Sequence, residues 1–218
     1  MQFSELKRRV ETMSNRVATM SAGFRTTSQR RAMWPTTPML TAEHVRGCTV
    51  FENREAILEQ LPKHIVCAEV GVDLAEFSEK IFRTVEPSKL HLIDIALSSI
   101  QTAKDKFATE IQAGTVQTHC GDSSTLLSTF PDQYFDWIYI DGDHSYEGAK
   151  RDIEAALPKL KPDGMIGVND YIFFSPSDFT KYGVIEAVNE FCLSHSFKLV
   201  YFGLQGRMYN DVVIGRIS

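Results

Sequence analysis

The sequence lacks three features that would mark a membrane or secreted protein. No apolar stretch approaches the ~20 residues that a membrane-spanning helix needs. The N-terminus, MQFSELKRRVETM, is too charged for a secretory signal. The cysteines are few, lie far apart and form no C-x-x-C pair; they are Cys48, Cys67, Cys120 and Cys192. We therefore expect a cytoplasmic protein with reduced thiols, and neither a disulfide framework nor a zinc site.

Positive charge is also scarce outside one end of the chain. The 218 residues carry a net charge of −5. Residues 1–46 contain eight Lys and Arg against three acids, so the remainder has a net charge of −10. An acidic body does not attract a polyphosphate backbone. We therefore expect a small-molecule partner, and neither a nucleic acid nor a membrane.

Residues 1–47 are predicted to form an N-terminal helical arm followed by a connector. Within residues 2–20 the apolar positions recur at helical spacing; they are Phe3, Leu6, Val10, Met13, Val17 and Met20. Such a stripe either packs on the body of the protein or pairs with a second subunit in a homo-oligomer. Residues 21–41 show no regular periodicity and are predicted to be an irregular connector.

Residues 48–218 alternate between strand and helix patterns. Strands are predicted at 64–71, 89–94, 115–120, 135–141 and 164–170, with helices between them and two further strands within 197–217. The pattern predicts an α/β domain with a Rossmann-like, seven-stranded, mainly parallel sheet, a C-terminal antiparallel hairpin and helices on both faces. Ligands of such folds bind outside the carboxyl ends of the strands.

The loop after the first of these strands lacks the glycines of a dinucleotide-binding fold. It reads Glu69-Val-Gly71-Val-Asp73-Leu-Ala75, with one glycine where G-x-G-x-x-G would cradle a pyrophosphate. An acid at Asp73 is poorly suited to hold phosphate. The loop therefore argues against an NAD(P)-dependent oxidoreductase. It favours a ligand without phosphate that approaches the backbone at Gly71.

The next two strands end in residues suited to a nucleoside. Asp94 follows Gly71 by 23 residues, close to the ~20 at which an acid binds ribose hydroxyls, and Ile95 beside it can lie against an adenine. The third strand ends in Gly121-Asp122-Ser123, where a carboxylate can accept from an adenine amino group. The alternative for both acids is that they cap the helices that follow.

The fourth and fifth strands end in a dense polar cluster. The fourth ends in Asp141-Gly142-Asp143-His144, and the fifth in Asn169-Asp170. Because neighbouring parallel strands end side by side, Asp141, Asn169 and Asp170 are predicted to converge. Two carboxylates and an amide oxygen suit Mg²⁺, Mn²⁺ or Ca²⁺. In the metal-free alternative, these groups cap helices and bind the cofactor's amino group.

With these motifs the chain resembles the class I S-adenosylmethionine-dependent methyltransferases, in particular a bacterial subgroup that carries D-G-D-H-S-Y-E. The most similar stretch is residues 139–171, supported by 68–81, 91–95, 121–124 and 182–191. The subgroup is similar to metal-dependent sugar O-methyltransferases. The resemblance covers about residues 48–218 and implies an S-adenosylmethionine-dependent methyltransferase domain there.

The resemblance also implies roles for individual residues. Glu69 and Gly71 would line the methionine part of the cofactor, Asp94 would hold the ribose, and Asp122 with Ser123 the adenine. The implied metal ligands are Asp141, Asn169 and Asp170. Two positions depart from the family pattern: Ala75 replaces a glycine, and Asn169 stands where related metal enzymes commonly have an acid.

The predicted reaction is methyl transfer to a hydroxyl of a small molecule, of the sugar or natural-product type, assisted by a divalent metal. A base must take the hydroxyl proton; His144 is the first candidate because its ordinary pKa lies near neutrality, and Asp143 is the second. Two alternatives stay open. One is a metal-independent methyltransferase that acts on nitrogen or carbon, and the other is an S-adenosylmethionine-binding module without catalysis.

Overall fold

Eight strands form the central sheet of the computed structural model, one more than the sequence predicts. The structure describes residues 37–177 and 179–217, and the helix predicted for residues 2–20 lies outside them. The strands, in chain order, are β1 (Thr49–Phe51), β2 (Val66–Val70), β3 (Lys89–Asp94), β4 (Val116–Cys120), β5 (Phe135–Ile140), β6 (Leu160–Val168), β7 (Phe174–Ser175), β8 (Thr180–Lys181), β9 (Phe197–Gly203) and β10 (Asp211–Arg216). The pair β7–β8 forms a separate two-stranded hairpin.

Helices alternate with these strands, as the sequence predicts. They are α1 (Ala42–Val45), α2 (Arg54–Leu58), α3 (Glu76–Val85), α4 (Leu97–Lys106), α5 (Ala108–Gln112), α6 (Ser123–Ser128), α7 (Tyr146–Ala156) and α8 (Val184–His195), with a 3₁₀ turn at Leu157–Lys159. The helical segment between β3 and β4 is divided at Phe107, whose backbone leaves the helical region at φ −109° and ψ 26°. The side chain of Phe107 is buried there.

The sheet has the order β1-β9-β10-β6-β5-β2-β3-β4. Strand β10 runs antiparallel to both of its neighbours, which confirms the predicted C-terminal hairpin with β9, and the other pairs are parallel. The eighth strand is the edge strand β1, which pairs with β9. Three residues are too few to show a strand periodicity, so the prediction of seven strands missed it.

Helices pack on both faces because successive strand residues point to opposite sides. In β5, Ile138 and Ile140 belong to one buried cluster, which includes residues of α7 and α8. Trp137 and Tyr139 belong to the other, which includes residues of α3 and α4. The two cores fix the four adjacent strands β5, β2, β3 and β4, whose carboxyl ends form one edge. None of the helices in the described part of the chain is long and apolar enough to cross a membrane.

Candidate active site

The loop after β2 turns at Gly71, where the backbone has a φ of +86°. A Cβ at this position would lie 1.9 Å from the carbonyl oxygen of Asp141, which follows β5. Asp141 is held there because its amide donates to the carbonyl of Val70 at 2.7 Å. Both the left-handed backbone and the close approach require glycine. The ends of β2 and β5 are therefore in direct contact.

Asp94 fastens the same loop from the end of β3. Its Oδ2 accepts hydrogen bonds from the amides of Val72 at 2.7 Å and Asp73 at 3.2 Å. Its Oδ1 accepts one from the amide of Ala96 at 2.7 Å, at the start of α4. The alternative role as a helix cap is not observed, because the N-cap of α4 is Ala96 and no side chain caps that helix. Asp94 instead fixes the two loops on either side of it. A carboxylate offers about four lone-pair sites, so one stays available to a ribose hydroxyl.

A cavity of about 510 Å³ lies at the carboxyl ends of β2, β3, β4 and β5. Nine residues at these strand ends, Asp73 and Gly121 included, are the sequence's candidates for cofactor binding. Eight of the nine line the cavity; they are Gly71, Asp73, Asp94, Ile95, Gly121, Asp122, Ser123 and Asp141. The side chain of Ile95 is 77% exposed in this structure. The fold thus brings side chains from four strand ends to one place, as the sequence predicts.

Asp122 caps α6 as well as lining this cavity. Its Oδ1 accepts hydrogen bonds from the hydroxyl of Ser124 at 2.7 Å and the amide of Thr125 at 2.9 Å. These bonds lower the pKa of Asp122 to about 2. The neighbouring Ser123 donates its hydroxyl to Oδ1 of Asp152 at 2.6 Å. Asp122 and Ser123 are therefore both held in place at the cavity wall.

Asp152 is a site residue that sequence reasoning missed. It lies on α7, lines the cavity of about 510 Å³ and is only 2% exposed. Burial raises its pKa. A signal was present in the sequence, because Asp152 shares the inward face of α7 with Ala149 and Ala156. An acid on a buried helical face is destabilising unless it forms hydrogen bonds, so its presence there indicates a polar partner.

A second cavity of about 200 Å³ adjoins the first. Gly71, Asp73 and Asp141 line both. Glu69, the ninth predicted residue, lines the smaller one and is 1% exposed. Burial raises its pKa to about 8, against the opposing effect of a hydrogen bond from the hydroxyl of Ser78. The raised pKa favours the protonated form of Glu69 near neutral pH, even with Arg54 in the same cavity.

Arg54 is the second residue that the sequence did not reveal. It begins α2, and its guanidinium carbon lies 4.1 Å from the ring centroid of Phe77. Its Nη1 donates to Tyr139 Oη at 3.0 Å and to Asn169 Oδ1 at 3.4 Å, and lies 3.6 Å from Asp141 Oδ2. Burial alone would lower the pKa of Arg54, but the surrounding oxygens raise it. No sequence motif marks this arginine, because it precedes the first strand of the predicted site.

The predicted metal ligands converge, but their donor atoms do not fit a cation. Asn169 Nδ2 donates to Asp141 Oδ1 at 2.7 Å. Arg54 can only donate, so the side-chain atom of Asn169 that faces Arg54 must be the amide oxygen. The amide nitrogen of Asn169 must then face Asp141. An amide NH₂ cannot ligate Mg²⁺ beside a carboxylate. No cluster of three His, Cys, Asp or Glu suited to a metal occurs among residues 37–177 and 179–217. The described residues therefore do not support the metal expected at Asp141, Asn169 and Asp170.

His144 lies between two of these acids. Its Nε2 is 3.4 Å from Asp141 Oδ1 and 3.6 Å from Asp170 Oδ2, and its ring stacks on Tyr182 with centroids 4.7 Å apart. Burial lowers the pKa of His144, but the neighbouring carboxylates outweigh it and the pKa is raised. The other candidate base, Asp143, accepts a hydrogen bond from the amide of Ser145 at 2.9 Å.

A family model described as "Methyltransferase domain" matches residues 44–171. The chain belongs to this methyltransferase family. The match covers more than half of the chain and includes every predicted site residue. The matched segment is thus a methyltransferase domain, for which S-adenosylmethionine is the expected cofactor. No curated protein sequence matches it.

Solved structures share the fold of the methyltransferase. A "SAM dependent methyltransferase from Aquifex aeolicus" is 14% identical, with a TM-score of 0.59, over 89% of this chain and 100% of that one. The pyocyanin biosynthetic protein PhzM is 16% identical, with a TM-score of 0.58, over 76% and 55%. The [4+2]-cyclase SpnF is 16% identical, with a TM-score of 0.55, over 71% and 60%. The chain therefore spans little more than half the length of the last two, and the likeness shows the fold alone.

Proposed function

We propose that the methyltransferase binds S-adenosylmethionine along the two joined cavities and methylates a hydroxyl of a small molecule without a metal ion. The observation that carries the proposal is the junction itself. A large cavity and a small one share Gly71, Asp73 and Asp141. An elongated ligand with two chemically different halves can cross from one to the other at this point.

The larger cavity suits the adenosine half of the cofactor. Asp94 has acceptor capacity for a ribose hydroxyl, and Asp122 and Asp152 offer oxygens to an amino group. Ile95 provides an exposed apolar face against which an adenine ring can pack. The smaller cavity, with Glu69 on its wall, then receives the methionyl half.

The charges around the junction suit a cationic ligand. Glu69, Asp73, Glu76 and Asp141 line the smaller cavity, and among its lining residues Arg54 alone is basic. When bound, S-adenosylmethionine supplies a methyl group that the acceptor oxygen takes by in-line displacement of sulfur. The chain's own residues orient that acceptor and remove its proton. We assign the proton to Nε2 of His144, whose charged form the carboxylates of Asp141 and Asp170 stabilise.

Transfer to a nitrogen acceptor is the second candidate function. The raised pKa of His144 favours it, because a protonated histidine cannot accept a proton from a hydroxyl. A neutral amine attacks the methyl group before it needs to lose a proton. The dependence of turnover on pH, treated in the Discussion, separates the two acceptor types.

Ile95 provides the test of cofactor binding. Ile95→Ala should weaken S-adenosylmethionine about 5- to 20-fold in calorimetry, because it removes most of an apolar side chain from the adenine contact. Leu97→Ala is the matched control, since Leu97 is 69% exposed, lies two residues away and does not line either cavity. Neither change disturbs buried packing.

Three results would count against the proposal. If the wild-type chain bound neither S-adenosylmethionine nor S-adenosylhomocysteine, it would be wrong. Equal losses in Ile95→Ala and Leu97→Ala would mean that the cofactor lies elsewhere. Saturable binding without methyl transfer to a panel of hydroxyl and amine acceptors would favour the non-catalytic binding module.

A further inference from the structure

The side chain of Arg54 uses a single nitrogen in its hydrogen bonds and its ion pair with the described residues. Its hydrogen bonds to Tyr139 and Asn169 and its ion pair with Asp141 all come from Nη1. A guanidinium carries five N–H donors, of which Nη1 supplies two. Three donors, on Nε and Nη2, thus make no hydrogen bond to a described residue. The N–H of Nε and one N–H of Nη2 lie on the same edge of the guanidinium, and this edge remains for a ligand.

The guanidinium is fixed in position before any ligand arrives. One of its faces lies on the ring of Phe77, and Nη1 is held by three oxygens on three different residues. The side chain is 26% exposed and lines the smaller cavity. A donor pair held in this way loses little conformational entropy when it binds a planar, two-oxygen anion.

The composition of the cavity wall limits which anion can bind. Four carboxyl groups line it with this one guanidinium, and burial raises the pKa of the deepest, Glu69, to about 8. A phosphate would bring up to two negative charges against these acids. An α-amino acid brings one carboxylate and, on the same carbon, an ammonium group that the acids attract. Arg54 therefore matches the carboxylate of an α-amino acid, and the acids of the wall match its ammonium group.

We propose that Arg54 binds the carboxylate of the cofactor's methionyl group through its Nε and Nη2 donors, an inference that rests on the proposed function. Arg54 also anchors Asn169 and Asp141 at the ends of β6 and β5. The cofactor's carboxylate therefore docks on the same side chain that orders the acceptor side of the site. In this arrangement Arg54 is a specificity-determining residue for the cofactor.

The test removes first the carboxylate of the ligand and then the guanidinium of Arg54. Binding of S-adenosylmethionine and of decarboxylated S-adenosylmethionine is measured by calorimetry for the wild type and for Arg54→Gln. The wild type should prefer the intact cofactor by about 10- to 100-fold, the range of a charge-assisted pair. Arg54→Gln should lose most of this preference by weakening the intact cofactor. The decarboxylated compound lacks the group that the deleted edge binds, so its affinity should change much less than that of the intact cofactor.

The controls separate a binding role from a structural one. Arg83→Gln removes a guanidinium whose side chain is 78% exposed and paired with Glu79, outside both cavities, and should change neither affinity. If Arg54→Gln weakened both compounds equally, Arg54 would only support the site, and the inference would fail. A wild type that binds both compounds equally would overturn it without any variant. A wild type that binds neither would overturn the proposed function and the inference with it.

Discussion

The side-chain amide of Asn169 donates to the carboxylate of Asp141 at 2.7 Å, across the ends of two adjacent parallel strands. Arg54 contacts both residues, at 3.4 Å and 3.6 Å. Protein donors therefore occupy the place that the sequence resemblance assigns to a divalent cation. The amide of Asn169 and the guanidinium of Arg54 together stabilise the carboxylate of Asp141.

We therefore predict that methyl transfer is indifferent to metal chelation. Turnover should change by less than about twofold between 5 equivalents of EDTA and the same excess of Mg²⁺ or Mn²⁺, because no step needs a Lewis acid beside Asp141. Methyl transfer and cofactor affinity are both measured under the two conditions. A loss of activity in EDTA that Mg²⁺ restores would contradict this prediction.

Asn169→Asp provides the matched variant. It places a carboxylate against that of Asp141, so the two repel unless a proton or a cation lies between them. We expect the variant to be less stable than the wild type in EDTA and to recover with Mn²⁺, as measured by thermal unfolding. No metal response in either protein would show that the geometry excludes a cation even with a third acid.

Gly71 is predicted to tolerate no side chain. In Gly71→Ala the new Cβ would lie 1.9 Å from the carbonyl of Asp141, at a φ of +86°. Separating the two strand ends and straining the backbone should cost about 3 kcal/mol or more, and cofactor binding should be lost. Gly206→Ala is the control, because a Cβ there meets nothing within 4 Å. Chemical denaturation of both variants measures the difference; equal stabilities would contradict the structure of the junction.

The sequence alone predicted the parallel strands at the centre of the sheet and the site residues that follow those strands. Each buried strand is marked by apolar residues and ends in an acid or a glycine, so Asp94, Asp122 and Asp141 could be placed without a structure. Strand β1 could not be predicted, because its pairing with β9 depends on a partner about 150 residues away. Arg54 and Asp152 were missed for a related reason. They reach the site from helices, where no strand end marks the position.

The structure does not support the metal expectation, and the reason lies in the orientation of one side-chain amide. The sequence correctly brought Asp141 and Asn169 together, but an asparagine offers an oxygen on one side and a nitrogen on the other. Which of the two faces Asp141 is decided by Arg54, which lies 115 positions before Asn169 in the chain. A pattern of residue types along strands cannot contain that information.

Glu69 is predicted to couple cofactor affinity to pH. Its pKa is raised to about 8 by burial, so near neutrality the carboxyl is mostly protonated. A bound sulfonium favours the ionised form and lowers this pKa, so binding releases a proton and affinity rises with pH up to about 8. Between pH 7 and 8.5 the affinity for S-adenosylmethionine should rise up to about tenfold.

Calorimetry at the two pH values tests the coupling. S-adenosylhomocysteine lacks the sulfonium charge and should show a smaller rise. Glu69→Gln keeps the shape of the side chain and should flatten the dependence for both compounds. A rise that persists in Glu69→Gln would assign the titration to another group.

His91 is predicted to make stability fall in acid. Its ring nitrogens lie 3.1 Å from His119 Nε2 and 3.1 Å from Tyr134 Oη, and burial lowers its pKa to about 4. Below about pH 6.5, His91 is therefore protonated in the unfolded chain but stays neutral in the folded chain. Stability is retained above this pH and decreases as the pH falls towards 4, by on the order of 2 kcal/mol between pH 7 and 5.

Urea denaturation of the wild type and His91→Phe at pH 5 and 7 measures this effect. Phenylalanine preserves the ring contact with Phe130, whose centroid is 4.8 Å away, but cannot titrate. The variant should be less stable at pH 7, where Tyr134 loses a partner, and should show a smaller drop at pH 5. A drop of the same size in both proteins would mean that other groups cause it.

His144 is predicted to set the acid limb of the pH–rate profile. The carboxylates of Asp141 and Asp170 raise its pKa against the opposing effect of burial, so it becomes a free base only above the ordinary value of about 6.5. Turnover on a hydroxyl acceptor should therefore fall as the pH decreases through a midpoint above 6.5. His144→Asn should reduce turnover about 10²- to 10⁴-fold and remove this limb, with cofactor affinity nearly unchanged.

His64→Asn is the control, because His64 is exposed and asparagine tolerates its left-handed backbone, φ 60°. If His144→Asn instead weakened cofactor binding as much as turnover, the histidine would support the site structurally; a limb that followed the pKa of an amine acceptor in both proteins would favour transfer to nitrogen.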